Sequence, residues 1–112
     1  MSIRLQKPWI DLTGERVAQL RGELGVYQIA DERGEVVFIG YAGGRSMFGL
    51  KGELQTALER YRGQKMQFRV EATNQYLSRH EELLMIHKHD HGDVPRDNHA
   101  ERKRKIGRIT PG

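Results

Sequence analysis

Two short motifs that combine an aromatic residue with a glycine are the first part of the chain that could do chemistry. Gly25-Val26-Tyr27 comes first, and Phe38-Ile39-Gly40 follows with its aromatic residue eleven positions later. Both motifs are typical of strands, and a strand glycine lets another backbone approach closely. The two segments therefore predict neighbouring strands that each present an aromatic side chain. The alternative is a pair of ordinary strands whose aromatic residues belong to the core.

Glu82 is a candidate because it is a carboxylate on an apolar part of a predicted helix. Met85 at i+3 and Ile86 at i+4 are its neighbours on the same helix face. Such a carboxylate is either the polar edge of the helix or a ligand held for a cation. Farther along the same helix, His87 and His91 have the i, i+4 spacing that can bind zinc. The alternative for this pair is a solvated, histidine-rich helix end.

Hydrophobic periodicity predicts the elements that must position these residues. The pattern predicts helices over about 13–21, 48–61 and 75–89, and strands over 25–30, 35–40 and 66–71. The second strand is apolar on both faces, which favours a central position in the sheet. The apolar residues of the last helix spread widely around its axis, so we expect that helix to be mostly buried. The fold class is α+β: a small, three-stranded, mainly antiparallel sheet flanked by helices, in the order α-β-β-α-β-α.

Composition bounds the domain organisation. The chain has 112 residues and no cysteine, which excludes disulfides, thiolate zinc sites and a cysteine nucleophile. We expect one domain over residues 1–98, with a lead-in at 8–22 and a core at 24–98, followed by a basic tail at 99–112. No apolar run reaches the roughly 18–20 residues of a membrane span. We therefore expect a cytoplasmic protein without a membrane partner.

The formal charge of +4 is unevenly distributed. Residues 1–100 hold fourteen Lys or Arg and fourteen Asp or Glu, so the whole excess lies in residues 101–112. The run Arg102-Lys103-Arg104-Lys105 could neutralise about four phosphates of a nucleic acid. The alternative is a terminus that only adds solubility.

The ordered set of motifs resembles the GIY-YIG nuclease superfamily. The resemblance rests on Gly25-Val26-Tyr27, Phe38-Ile39-Gly40, Glu82 before Met85-Ile86, and Pro95-Arg96-Asp97-Asn98, and it covers about residues 24–98. The ending resembles that of the nuclease module in the excision-repair incision enzyme. The resemblance implies a GIY-YIG-like fold and a protein that acts on nucleic acid, DNA in preference to RNA.

The chain departs from the family pattern at three places. Phe38 stands where the family usually has Tyr, and Tyr41 stands where a Lys is often found. The family's helical Arg would fall at position 48, which is Phe. Lys51 takes that place on the helix if the glycine turn is three residues longer, and Arg45 then lies in the loop.

The resemblance also implies roles for six residues in metal-dependent phosphodiester hydrolysis. Glu82 would hold Mg²⁺ or Mn²⁺, and Tyr27 would lie next to the attacking water. Lys51 or Arg45 would stabilise charge on the transferring phosphate. Asn98 would fix the geometry of the site, and Tyr41 would orient a water in place of the missing Lys. The alternative is a catalytically degraded module that binds nucleic acid or a protein partner, a homo-oligomer included, without cleavage.

Overall fold

The computed structural model describes residues 4–99 and contains an antiparallel sheet with helices on both faces. The elements are β1 (Ile10–Asp11), α1 (Gly14–Ala18), β2 (Gly25–Asp31), β3 (Val36–Ala42), α2 (Gly49–Arg60), β4 (Met66–Ala72) and α3 (Tyr76–His91). The α+β class and the order of the six longer elements agree with the sequence expectation. Within residues 4–99, no helix has the length and apolarity needed to cross a membrane.

The sheet has four strands in the order β1-β4-β2-β3, and all neighbours are antiparallel. The expectation of three strands was wrong by one, because β1 has only two residues and no detectable alternation. Ile10 and Asp11 pair with Phe68 and Gln67 of β4. The central strand is β2, which pairs with β3 on one side and with β4 on the other.

The strand β3 lies at the edge of the sheet, so the prediction that it is central was wrong. Its apolar pattern has a different cause, because both of its faces are covered. Phe38 packs in the cluster on the α2 face, and Ile39 packs in the cluster on the α3 face. A strand that reads as apolar on both sides can therefore be an edge strand under two helices.

The helix α2 packs on the sheet through the face that its periodicity predicts. Leu50, Leu54 and Ala57 are buried against β2 and β3, together with Tyr61 just beyond the helix end. The first helix is shorter than expected: α1 is capped by the Thr13 hydroxyl, which accepts from the Arg16 amide at 3.2 Å, but it ends at Ala18.

The helix α3 is much more exposed than its sequence suggested. Leu83 is its only fully buried residue, whereas Leu77 is 57 % exposed and Met85 is 71 % exposed. The expectation of a mostly buried helix was wrong, because only one narrow face of α3 rests on β2 and β3. The helix is followed by Gly92, which adopts the left-handed conformation, so α3 runs two residues beyond the predicted end at 89.

The histidines at the end of α3 stack on each other. The ring centroids of His87 and His91 are 4.3 Å apart, and His87 Nδ1 lies 2.9 Å from the Asp93 carbonyl oxygen. No group of three potential metal ligands occurs among the described residues. The predicted basic run Arg102-Lys103-Arg104-Lys105 lies outside residues 4–99.

Candidate functional site

A cleft of about 700 Å³ opens beside the end of β3. Side chains from both faces of the sheet line this cleft. They can do so because β3 is an edge strand, and side chains on either face can reach the space beyond that edge. The lining residues that bear polar or charged groups include Tyr27, Tyr41, Arg45, Ser46, Glu53, Tyr76, His80 and Asn98. Four of the six residues implied by the resemblance are in this set. Lys51 and Glu82 are not.

Tyr27 reaches the cleft from the central strand by passing over Gly40. The two residues are cross-strand partners. A Cβ atom at position 40 would overlap the Tyr27 hydroxyl and lie 2.8 Å from Phe38 Cε2. Position 40 must therefore be glycine, because any larger side chain there would clash with the Tyr27 ring. Gly25 has a similar role, since a Cβ there would overlap the Glu71 carbonyl on β4. The expected close approach of another backbone is confirmed at Gly25, whereas the close neighbours of Gly40 are side chains.

Glu53 is the functional candidate that sequence reasoning missed. The Tyr27 hydroxyl donates a hydrogen bond to Glu53 Oε1 at 3.2 Å. Glu53 lies near the beginning of α2, between the predicted cation Lys51 and the buried Leu54. Its signal in the sequence is weak, because a carboxylate beside the apolar face of an amphipathic helix is ordinary. Only the packing of α2 on β2 reveals that it faces Tyr27.

Arg45 lies in the loop between β3 and α2, as expected, and lines the cleft. Two hydrogen bonds hold the beginning of this loop. The Gly43 amide donates to Ser46 Oγ at 3.0 Å, and the Gly44 amide donates to the Tyr76 hydroxyl of α3 at 3.2 Å. One contact lies within the loop and the other joins it to α3, so the exposed Arg45 is carried on a loop whose start is fixed. Lys51 lies on α2, as expected, but outside the cleft wall.

Asn98 is bound to the outer side of β3 through both atoms of its amide. Its Oδ1 accepts from the Ile39 amide at 2.9 Å, and its Nδ2 donates to the Ile39 carbonyl at 2.8 Å. His80 Nε2 also lies 3.1 Å from that carbonyl oxygen. Because a carbonyl oxygen only accepts, Nε2 carries the proton of the His80 ring. Asn98 therefore holds one wall of the cleft in place.

Tyr41 forms an aromatic cluster on the α3 side of the cleft. Its ring stacks on Tyr76 with centroids 5.8 Å apart and meets the edge of His80 at 4.9 Å. The offset stack and the edge contact are both favourable aromatic geometries. This cluster joins the end of β3 to the beginning of α3.

Glu82 is a half-buried residue of α3 that does not line the cleft entered by Tyr27. Its carboxylate forms an ion pair with Arg79, and Arg79 also binds Glu71 of β4 at 2.8 Å. The hydrogen bond that Arg79 donates to Glu71, and to a smaller extent the one that it donates to Glu82, raises the pKa of Arg79 against the opposing effect of burial. A permanently charged guanidinium beside Glu82 does not fit a divalent cation, which needs that carboxylate for itself. The four residues that the resemblance would bring together, Tyr27, Lys51, Glu82 and Asn98, do not share one cleft.

The donor set of the cleft fits a divalent cation better at Glu53. Glu53 is the one carboxylate among the described residues that line the cleft, and Arg45 is the one permanent cation there. Mg²⁺ is commonly held by one or two carboxylates together with the phosphates of a substrate. A carboxylate, a phenol and a guanidinium in one open cleft are the groups that can bind a phosphodiester and a water beside it.

Residues 3–90 match a family described as a domain of unknown function (DUF7508). No curated protein and no solved structure matched the chain. The matched span covers the sheet, α2, all of α3 except His91, and all cleft residues except Asn98. The chain belongs to the DUF7508 domain family.

Proposed function

We propose that this DUF7508 protein binds nucleic acid in the cleft beside β3 and hydrolyses a phosphodiester bond there. The observation that carries the proposal is the hydrogen bond from the Tyr27 hydroxyl to Glu53, in the same cleft as Arg45. The GIY-YIG-like order of motifs supports the choice of substrate class. We assign to Glu53 the metal-holding role that the resemblance gave to Glu82.

Each cleft residue has a separate role in the proposed hydrolysis. Arg45 binds the phosphate, because a guanidinium offers two parallel donors to phosphate oxygens and keeps its charge at all relevant pH values. Tyr27 donates to Glu53, and its oxygen can accept a hydrogen bond from a water in the cleft. The water is thereby held at the phosphate. As its oxygen bonds to phosphorus, the P–O ester bond breaks; the proton that the water loses passes to solvent, and the leaving oxygen takes a proton from solvent. Asn98 and Tyr41 keep the two walls in place.

The proposed cofactor is Mg²⁺ or Mn²⁺, and Glu53 is the residue that would hold it. When bound, such an ion lowers the pKa of a coordinated water and neutralises charge on the phosphate. Tyr27 keeps the Glu53 carboxylate oriented toward the cleft through its hydrogen bond. Arg45 completes the neutralisation of the phosphate from the loop side.

The test is cleavage of branched, nicked and linear DNA and RNA in the presence of Mg²⁺ or Mn²⁺. We expect Glu53→Gln and Tyr27→Phe to lower the cleavage rate by about 10–100-fold, because Glu53 would hold the metal ion and Tyr27 orients the Glu53 carboxylate. Glu82→Gln and Lys51→Gln are the matched controls, since both residues lie outside the cleft. We expect them to retain activity. Loss of cleavage in Glu82→Gln with full activity in Glu53→Gln would overturn this assignment. Circular dichroism confirms that each variant is folded.

A second candidate is a module that binds nucleic acid without cutting it. Two observations favour it: Phe38 supplies no hydroxyl where the family usually has Tyr, and Glu82 is paired with Arg79 outside the cleft. In that case binding depends on Arg45, and no substrate is cleaved with either metal ion. The cleavage assay and a binding assay on Arg45→Gln together separate the two functions.

A further inference from the structure

We propose that Met47, Phe48 and Leu77 form a surface that contacts nucleobases at the mouth of the cleft. These three residues, the apolar rim, are 75 %, 68 % and 57 % exposed. Met47 and Leu77 both line the cleft, from the loop and from α3 respectively. The inference rests on the proposed function, because it names what the rest of a nucleic acid touches when its phosphate is in the cleft.

The backbone holds Phe48 in an unfavourable conformation with its ring in solvent. Its φ of 64° is the only positive φ at a non-glycine residue among the described residues. A left-handed conformation is costly for a bulky side chain, and burial of the ring does not offset it here. The fold therefore presents this aromatic residue without gaining stability from it.

The position of the apolar rim is fixed by the segment that precedes β2. A Cβ atom at Gly49 would lie 2.5 Å from the Gly22 carbonyl group, so the two backbones are in direct contact. The Leu50 amide donates to the Glu23 carbonyl at 2.8 Å. Residues 47–49 thus pack on a neighbouring loop, which keeps Phe48 and Met47 directed outward.

Charge favours a nucleic acid as the occupant of this surface. Arg45 lies on the same loop as Met47 and Phe48 and lines the same cleft. A nucleic acid carries anionic phosphates beside apolar base faces, so a cation on the same loop as apolar residues matches it. Stacking of a base on an aromatic side chain strengthens binding by about fivefold to 150-fold per base. Phe48 is the residue that would stack, while Met47 and Leu77 support the base beside it.

The test compares two labelled probes in a fluorescence anisotropy titration at fixed salt. One is an oligothymidine of about 16 nucleotides, a length that such sites occupy. The other has the same sugar–phosphate backbone without bases. We expect the protein to prefer the base-bearing probe by at least about fivefold. Phe48→Ala should remove that preference and leave affinity for the abasic probe unchanged. Arg45→Gln should weaken binding of both probes.

Met85→Ala is the matched control, because Met85 is an equally exposed apolar residue that is neither in the cleft wall nor on the Arg45 loop; it adjoins Leu77 on the other side, so it also tests whether bases spread along α3. Met85→Ala should leave the affinity for the base-bearing probe and for the abasic probe unchanged. Equal binding of both probes, unchanged by Phe48→Ala, refutes the nucleobase surface and leaves the proposed function intact. Failure to bind either probe, or any other nucleic acid, refutes the proposed function itself. A dimer in sedimentation that Phe48→Ala dissociates would identify a second copy of the chain as the occupant and overturn the inference.

Discussion

Replacement of Gly40 by alanine tests whether the second motif exists to let the Tyr27 ring pass. The added methyl group would overlap the Tyr27 hydroxyl end and lie 2.8 Å from Phe38 Cε2. Tyr27 is 5 % exposed and Phe38 is 6 % exposed, so neither ring can move into solvent without repacking. The hydrogen bond from Tyr27 to Glu53 should break when the ring moves.

The expected loss has two parts. Overpacking a filled core costs about 1–3 kcal/mol. The hydrogen bond to Glu53 is only partly buried, so its loss adds about 1 kcal/mol. The free energy of unfolding of Gly40→Ala should therefore be about 2–4 kcal/mol lower than that of the natural chain. For a chain of this size, that corresponds to a fall in Tm of roughly 8–16 °C.

Urea unfolding followed by circular dichroism measures the loss. Gly14→Ala is the matched control, because a Cβ at that glycine meets nothing within 4 Å. It should change the unfolding free energy by less than about 0.5 kcal/mol. A double variant with Tyr27→Leu should recover part of the Gly40→Ala loss, since the clashing ring is gone. The steric explanation is refuted if Gly40→Ala is as mild as Gly14→Ala, or if its cost is the same in both backgrounds.

Two further predictions concern the segment that follows α3. Asn98→Ala should lower the unfolding free energy by about 1–3 kcal/mol in urea titrations, because the Ile39 amide loses its acceptor; a loss below about 0.5 kcal/mol would contradict this. Burial opposes the charge of Asp97, but hydrogen bonds from Arg96 and Tyr61 outweigh it and hold the pKa of Asp97 below its ordinary value. A carboxyl with a lowered pKa stabilises the fold above its ordinary pKa, and the stabilisation disappears as the pH falls through the lowered value. The stability difference between the natural chain and Asp97→Asn should therefore shrink between about pH 5 and pH 2, and a difference that is constant over this range would argue against the ion pair.

Much of the fold follows from periodicity, because each long element has a face that must be buried. The recurrence of Leu50, Leu54 and Ala57 places α2 on the sheet, and the alternation of Met66, Phe68 and Val70 predicts β4. Periodicity reports which side chains avoid water, and it carries no information on strand order. For that reason the edge position of β3 and the two-residue strand β1 were not foreseen.

The site was predictable only in part. Tyr27, Arg45, Tyr41 and Asn98 line one cleft, and their motifs mark turns and strand ends that local sequence can identify. Glu53 and Glu82 are both carboxylates on helices, and only the packing of each helix on the sheet decides which one faces the cleft. That packing depends on contacts between residues far apart in the chain. The exposure of α3 has the same cause, since its apolar residues exceed what the narrow contact with β2 and β3 can cover.

The double hydrogen bond between Asn98 and Ile39 has a consequence for the behaviour of the protein in concentrated solution. An edge strand with unpaired amides and carbonyls is a template on which another polypeptide can add as a strand. The Asn98 amide imitates a single residue of such a strand and occupies the pairing position at the middle of β3. The short strand β1 covers β4 at the opposite edge in the same way. Both borders of the sheet are thus partly closed by short pieces of the same chain, which protects the protein against intermolecular β-sheet assembly while leaving the cleft end of β3 open to a ligand.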